Sequence, residues 1–156
     1  MRRAPVLALA LIFAAGAAFA AGPLDEQNEE EEVTRSAAYM EASALVEAEA
    51  FELAHEKLME LSEEEPMNAD VFNLLGFAAR NIGDFDGAAA AYRRALALDP
   101  DHRGALEYQG QLYLALNEFE EAEANLARLS ELCPSGCEEK AELEAAMDAW
   151  RTENGS

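Results

Sequence analysis

Apolar positions along most of the chain recur with a period of 34 residues. Three sets of residues share that interval, namely Phe51/Phe85/Phe119, Ala54/Ala88/Ala122 and Pro66/Pro100/Pro134. Three independent columns with one period indicate an array of helical hairpins, in which each unit buries its apolar face only against its neighbour. Such an array predicts a binding surface rather than a catalytic pocket.

The middle unit carries the most specific pattern. Its first helix reads Phe72-Asn73-Leu74-Leu75-Gly76, its second helix contains Ala88 and Tyr92, and Pro100 follows at its end. This resembles the tetratricopeptide repeat, whose pattern is a Trp-like residue, Leu-Gly, Tyr, then Ala-x3-Phe and Pro. The resemblance implies an all-α fold, an α-solenoid of three helix-turn-helix hairpins at residues 35–68, 69–102 and 103–136.

Small residues and turn residues fit that layout. Small side chains are expected where two helices approach closely, because a bulky one would force them apart; they are Ala42, Gly76 and Gly110 in the first helices and Ala54, Ala88 and Ala122 in the second. The three phenylalanines are expected to begin the second helices and to join the core. Gly83 and Asn117 can take a positive φ in the turns, and Asp84 can cap the following helix.

The helix pattern continues beyond the last proline. Leu143, Met147 and Trp150 recur at i, i+4 and i+7 among acidic residues, which is typical of an amphipathic helix. A solenoid needs a polar-backed helix over its last exposed face. We therefore predict a capping helix at residues 137–151 and a disordered tail at 152–156.

Cys133 and Cys137 flank a Pro-Ser-Gly turn between the last repeat and this helix. The spacing is not that of a Cys-x-x-Cys redox motif, and in an oxidising compartment a structural disulfide is the simplest interpretation. A metal site and a labile redox pair remain alternatives. Two thiolates supply only half of a tetrahedral shell, so neither a metal nor another cofactor is expected.

The first residues predict export. Met1-Arg2-Arg3 precedes an uncharged, apolar stretch that ends in Ala18-Phe19-Ala20, which is typical of a cleavable signal peptide at residues 1–20. Residues 21–34 are acidic and predict a disordered linker. We expect a periplasmic protein of a Gram-negative bacterium, without stable membrane insertion once the signal peptide is removed.

The charge of the chain narrows the choice of partner. The formal net charge is −21, and removal of Arg2 and Arg3 leaves nine basic and 32 acidic side chains, a formal charge of −23. Such a chain cannot neutralise phosphates, which excludes sequence-blind binding to nucleic acid. A negative field can steer a basic partner, and it can equally serve solubility alone. It also opposes end-to-end stacking, so we expect a monomer.

The resemblance also implies where a ligand would bind. Proteins of this family bind peptides in the concave groove lined by their first helices. The corresponding positions here are Tyr39, Ser43, Val46, Asn73, Phe77, Arg80, Asn81, Glu107, Gln111 and Leu114. Phe77 is the most informative of them, because an apolar ring there is not expected to serve the seam of the hairpin. Arg80 and Arg103 do not make the lysine and asparagine clamp of the chaperone-binding subclass.

These features together predict a non-enzymatic scaffold. No set of nucleophile, base and metal ligands accompanies the repeats, and the segment around the two cysteines resembles the tail of small exported bacterial tetratricopeptide proteins. We expect a periplasmic adaptor that binds a protein or peptide segment, which serves assembly of an envelope complex. The alternative is a thiol-redox or metal-handling protein that uses Cys133 and Cys137.

Overall fold

A computed structural model describes residues 36–155, and the predicted signal peptide and acidic linker lie outside these residues. The described part of the chain is all-α. Its seven helices are α1 (Ala37–Glu47), α2 (Phe51–Glu64), α3 (Ala69–Asn81), α4 (Phe85–Leu98), α5 (Arg103–Ala115), α6 (Phe119–Leu132) and α7 (Glu138–Asn154). None of these helices is long and apolar enough to cross a membrane.

Successive helices pair into three hairpins, α1 with α2, α3 with α4 and α5 with α6. The second helix of each hairpin begins at the predicted phenylalanine, Phe51, Phe85 or Phe119. Each second helix ends two residues before its proline, because proline lacks the N–H that a continuing helix would use. The predicted solenoid of helical hairpins is confirmed.

The turns inside the hairpins each contain a residue with positive φ. Gly83 has a φ of 85° and Asn117 a φ of 62°, as predicted, and Glu49 takes the same role in the first hairpin with a φ of 55°. The Asp84 carboxylate accepts a hydrogen bond from the Gly87 amide at 2.9 Å and so caps α4. The chain thereby reverses direction at the same place in every unit.

The array curves toward its first helices. α1 packs on α3, α3 on α5 and α5 on α7, whereas α2, α4 and α6 do not pack on one another in the described residues. When the helices of one layer contact each other and those of the other layer are spread apart, the array bends toward the layer in contact. The concave face is therefore built from α1, α3, α5 and α7.

Close helix contacts account for the columns of small residues. Ala42, Ala54, Ala88 and Ala122 are all fully buried. A Cβ atom on Gly76 would lie 2.6 Å from the Tyr92 ring, which real Cβ atoms do not approach. The predicted small columns are confirmed as sites of close approach.

The phenylalanine column is less buried than expected. Phe51 and Phe119 are half-buried, and Phe85 is 39% exposed. The prediction that all three rings belong to the core is therefore wrong for Phe85. Within residues 36–155 no aromatic ring pairs with that of Phe85, whereas the ring centroid of Phe119 lies 4.9 Å from that of Trp150 in α7.

α7 packs on α5 and α6 as the first helix of a fourth unit would. Its residues Leu143 and Met147 are buried against the last hairpin, as predicted for a cap. The helix runs to Asn154, so the prediction of a disordered tail from residue 152 is wrong for residues 152–154. Gly155, with a φ of 73°, ends the helix.

The turn between α6 and α7 brings the two cysteines together. The sulfur atoms of Cys133 and Cys137 lie 2.05 Å apart in the structure, and the Cα atoms lie 5.9 Å apart. Gly136 has a φ of 97° within this turn, a conformation that glycine adopts without steric cost. The geometry is thus compatible with the predicted disulfide, whose formation in the exported protein stays a prediction.

Candidate functional site

The concave face carries two depressions, one lined by the N-terminal half of α5 and one by its C-terminal half. The first, of about 280 Å³, is called here the acidic pocket and is lined by Asn73, Gly104, Glu107, Tyr108, Glu138, Glu139 and Glu142. These residues come from α3, α5 and α7. Every one of these three helices therefore contributes a polar side chain to the same depression.

The second depression is larger, at about 520 Å³, and is called here the distal pocket. Its walls are formed by Arg80, Gln111, Leu114, Ala115, Asn117, Ala146, Ala149, Trp150, Glu153 and Asn154. It lies between the C-terminal halves of α5 and α7, so its surface mixes apolar and polar groups. An extended segment crossing the concave face can contact both pockets.

Phe77 lies on α3 between Asn73, which lines the acidic pocket, and Arg80, which lines the distal pocket. Its ring centroid lies 6.0 Å from that of Phe51 in α2 and 4.8 Å from that of Tyr108 in α5. Such aromatic pairs stabilise a fold beyond their buried area. Phe77 thus joins two neighbouring units, contrary to the prediction that its ring does not serve the packing of the hairpins.

Arg80 is held in place by other groove residues. Its Nη1 atom donates a hydrogen bond to Gln111 Oε1 at 2.9 Å, and its Cζ atom lies 5.5 Å from the Phe77 ring centroid. Gln111 Nε2 in turn donates to Glu107 Oε1 at 2.7 Å. A polar chain of three side chains therefore connects the distal pocket to the acidic pocket.

Glu107 is an unusual carboxylic acid, because it is only 3% exposed. Burial raises its pKa to about 8, and the nearby carboxylates of Glu142 and Glu139 add to the effect, while Arg80 opposes it. Glu142 also shares a hydrogen bond with Glu107. At neutral pH the Glu107 carboxyl group is therefore mostly protonated.

Asn73 presents a polar atom with no partner. The residue is 8% exposed, and its Oδ1 atom is buried without a hydrogen-bond donor anywhere in residues 36–155. Buried polar atoms are nearly always hydrogen-bonded, and an exception needs a physical account. Here the orphaned acceptor belongs to a residue that lines the acidic pocket.

The remaining predicted groove residues are less accessible or lie outside the two pockets. Tyr39 lies in the core cluster of the first hairpins, where the residue is 9% exposed, and it lines neither pocket, so its role as a ligand contact stays a prediction. Asn81 is exposed and its Nδ2 atom donates to the Phe77 carbonyl at 2.8 Å. Asn81 lines neither pocket, and Ser43 and Val46 also lie outside both.

The predicted site omitted all of α7. Glu138, Glu139 and Glu142 were assigned to the solvated back of a capping helix, yet all three line the acidic pocket. Their spacing of three and four residues puts them on one helix face, which was visible in the sequence. The missing information was that α7 extends the concave layer as well as covering the last hairpin.

The histidines take no part in this site. His102 caps α5, because its Nδ1 atom accepts from the Ala105 amide at 3.1 Å while its Nε2 atom lies 2.9 Å from Asp70 Oδ1. His55 lies in α2, in the opposite layer. Among the described residues no group of three or more histidine, cysteine or acidic side chains is arranged to hold a metal ion.

The comparison with protein families agrees with this geometry. The family model described as tetratricopeptide repeat matches residues 73–136. The chain contains tetratricopeptide repeats. The match covers the second and third hairpins, and the first hairpin follows in phase with the same helix and turn positions. No curated protein is significantly similar to the tetratricopeptide chain in sequence.

Solved structures with the same fold include a secretion chaperone and a domain bound to an HSP90 peptide. The Yersinia enterocolitica type III secretion translocator chaperone SycD is 20% identical, with a TM-score of 0.67 over 76% of this chain and 84% of that chain. SycD in complex with a peptide of the translocator YopD is 21% identical, with a TM-score of 0.65 over 75% and 92%.

The other is the first tetratricopeptide domain of Spaghetti (RPAP3), which was solved with the HSP90 peptide SRMEEVD. It is 21% identical to the tetratricopeptide chain, with a TM-score of 0.64 over 72% of this chain and 89% of that chain. Identities at this level establish a common fold, and function has to be argued from the groove itself.

Proposed function

We propose that this tetratricopeptide protein is a non-enzymatic adaptor that binds a segment of another protein in its concave groove. The observation that carries the proposal is the continuity of the concave face, on which the acidic pocket and the distal pocket share α5 and α7. Similarly folded proteins, SycD and RPAP3, were solved with peptides of YopD and HSP90. That precedent supports a peptide-sized ligand here.

The chemistry of the groove supports a binding role. The residues that line its two pockets include carboxylates, amides, arginine and aromatic rings, and no serine, cysteine or histidine is among them. Covalent catalysis depends on a nucleophile held next to a base. Glu107 has a raised pKa, but its partners are another carboxylate and an amide, so we assign it to ligand recognition.

We also propose that the adaptor works in the periplasm, where it serves assembly of an envelope complex. The support is the signal-peptide pattern of residues 1–20, followed by the acidic stretch of residues 21–34. A strongly acidic protein keeps itself soluble and attracts basic segments. The predicted partner is therefore a protein segment with basic residues.

The groove can be tested by placing a photo-crosslinking amino acid at matched alanines. Ala115 and Ala149 are exposed and line the distal pocket, whereas Ala90 and Ala124 are exposed on α4 and α6 in the opposite layer. We expect irradiation of cells to link the same partner segment to positions 115 and 149 and not to 90 and 124. Equal cross-linking at all four positions, or none at 115 and 149, would overturn the proposal.

A further inference from the structure

We propose that the acidic pocket is a receptor for one lysine side chain of the bound segment, whose ammonium group is held between Asn73, Glu107 and Glu142. This inference rests on the proposed function and names the chemistry of its partner. The three side chains come from α3, α5 and α7, so three different helices line the pocket. An ammonium group has three N–H donors and no acceptor.

The first argument is the unpaired acceptor. Asn73 Oδ1 is buried in a residue that is more than nine-tenths buried, and no described residue donates to it. An orphaned buried acceptor costs free energy unless a donor is supplied. A ligand that enters the acidic pocket with N–H groups supplies that donor once the Asn73 amide group turns its Oδ1 atom toward it.

The second argument is the imbalance of charge. Four carboxyl groups line the acidic pocket, those of Glu107, Glu138, Glu139 and Glu142. Arg103 lies at the rim, where its Nε atom is 3.5 Å from Glu139 Oε1, and it is half exposed. Arg80 is directed to Gln111. Neither arginine lines the pocket itself, so a bound ammonium group would meet no competing cation among the lining residues.

The arrangement favours lysine over other cations. A lysine ammonium is a compact charge on a thin stem, whereas the arginine guanidinium is a planar fork that suits bidentate pairing with one carboxylate. The acceptors here lie on three different helices, which matches the compact group. A metal ion is disfavoured, because no described cluster of three acidic, histidine or cysteine side chains is arranged to ligate one.

Protonation of Glu107 gives the pocket a distinctive pH response. Its pKa of about 8 reflects burial and the carboxylates of Glu142 and Glu139, opposed by Arg80. The other charged groups that face it are Glu138 from α7 and Arg103 from α5. A bound ammonium favours the ionised carboxylate, so lysine binding should release a proton and strengthen as pH rises toward 8.

The probe for this test is Nα-acetyl-lysine methylamide, titrated into isotopically labelled protein and followed by NMR. The uncharged matched compound is Nα-acetyl-norleucine methylamide. We expect the lysine compound to shift the Asn73 side-chain amide and the Glu107 and Glu142 carboxyl signals, with saturation, and more tightly at pH 8 than at pH 6. The norleucine compound should leave these signals unchanged.

A matched pair of double variants distinguishes lysine binding in the acidic pocket from general attraction to the acidic surface. Glu107→Gln with Glu142→Gln should weaken lysine binding about tenfold or more, because it removes charge-assisted hydrogen bonds. Glu120→Gln with Glu121→Gln replaces two carboxyl groups at exposed positions of α6 and should leave lysine binding unchanged. Equal weakening by both variants would overturn the inference, as would equal binding by Nα-acetyl-arginine methylamide or shifts spread over the acidic surface.

The two proposals fail separately. Cross-links at positions 115 and 149 without any lysine-induced shift at Asn73 would remove the lysine receptor and leave the groove function intact. Saturable shifts at Asn73 without cross-links would support the receptor chemistry and overturn the assignment of the groove to a protein partner. Each experiment thus decides one proposal.

Discussion

Leu143 of α7 packs directly on Gly110 of α5, so closely that a Cβ atom at position 110 would lie 2.7 Å from both Cδ atoms of the leucine. Leu143 is fully buried, so it has little room to move. We expect Gly110→Ala to destabilise the protein by about 1–3 kcal/mol, the usual cost of overpacking a core. Chemical denaturation followed by circular dichroism measures this change.

Two controls isolate the contact. Gly104→Ala, in the same helix, would place its Cβ atom 3.3 Å from the Asn73 Nδ2 atom, a contact that a small shift of that side-chain end relieves. It should therefore change stability less than Gly110→Ala. In a Leu143→Ala background the effect of Gly110→Ala should largely disappear, because the atoms that clash are gone. An equal cost in both backgrounds would contradict the assignment of the clash to Leu143.

The sequence predicted that both residues pack in the core, but not that they contact each other. Gly110 belongs to a column of small residues, and Leu143 belongs to an apolar stripe, so both were assigned to helix packing. Their pairing was not predictable, because α7 follows the last 34-residue period and no column fixes its register. By contrast the starts of α2, α4 and α6 at Phe51, Phe85 and Phe119 were predictable, because period and turn residues agree there.

The acidic pocket was not predictable as a unit. Glu107 was placed in the groove by its position within the repeat, but its burial and its contact with Glu142 depend on how α7 docks on α5. A raised pKa needs the three-dimensional environment of the carboxyl group. Tyr39 was placed in the groove by the same reasoning, and its burial depends in turn on how the first hairpins pack.

Glu107 should make the stability of the fold depend on pH. The pKa of Glu107 is about 8 in the folded protein and is lower in the unfolded chain, so the folded state retains a proton that the unfolded state has lost. The contribution of Glu107 to the free energy of unfolding is fully present below the pKa of the unfolded chain. As pH rises from there to about 8, the free energy of unfolding falls by up to about 1.4 kcal/mol per pH unit. Glu107→Gln should flatten this dependence and stabilise the protein at pH 8.

Denaturation midpoints from pH 5 to pH 9 measure the effect in both proteins. Other groups near Glu107 also act on it, namely Glu138, Glu139 and Glu142 from α7, Arg80 from α3 and Arg103 from α5. Glu120→Gln, at an exposed position, therefore serves as the control and should keep the dependence of the parent. Identical slopes for the parent and Glu107→Gln would show that Glu107 titrates normally.

His102 should stabilise α5 as its N-cap. Its Nδ1 atom accepts from the Ala105 amide, and its Nε2 atom contacts Asp70 of the preceding unit. We expect His102→Ala to cost about 1 kcal/mol, the usual loss for a missing cap. His102→Asn retains a capping side chain and should recover most of that loss. Equal destabilisation by both variants in urea titrations would assign the effect to the Asp70 contact instead.

Removal of α7 should destabilise the last hairpin. Leu143 and Met147 are buried against it, and the Trp150 ring centroid lies 4.9 Å from that of Phe119. Deletion of residues 138–156 exposes this apolar surface, so we expect a sharply lower melting temperature in calorimetry. Deletion of residues 155–156 alone leaves the helix intact and is the control. An unchanged transition after the longer deletion would remove the capping role.

The oxidation state of Cys133 and Cys137 decides between a structural bridge and the thiol-redox alternative. The two Cα atoms lie 5.9 Å apart across the turn from α6 to α7, within the range of about 4.4–6.8 Å that a disulfide requires. We predict that protein purified from the periplasm, its proposed compartment, and denatured without reductant contains no titratable thiol, and that reduction releases two. Since the closed loop is short, Cys133→Ser with Cys137→Ser should lower stability only modestly. Two free thiols before reduction would instead favour a redox or metal-handling role. The same protein after reduction is the reference for complete reaction of both thiols.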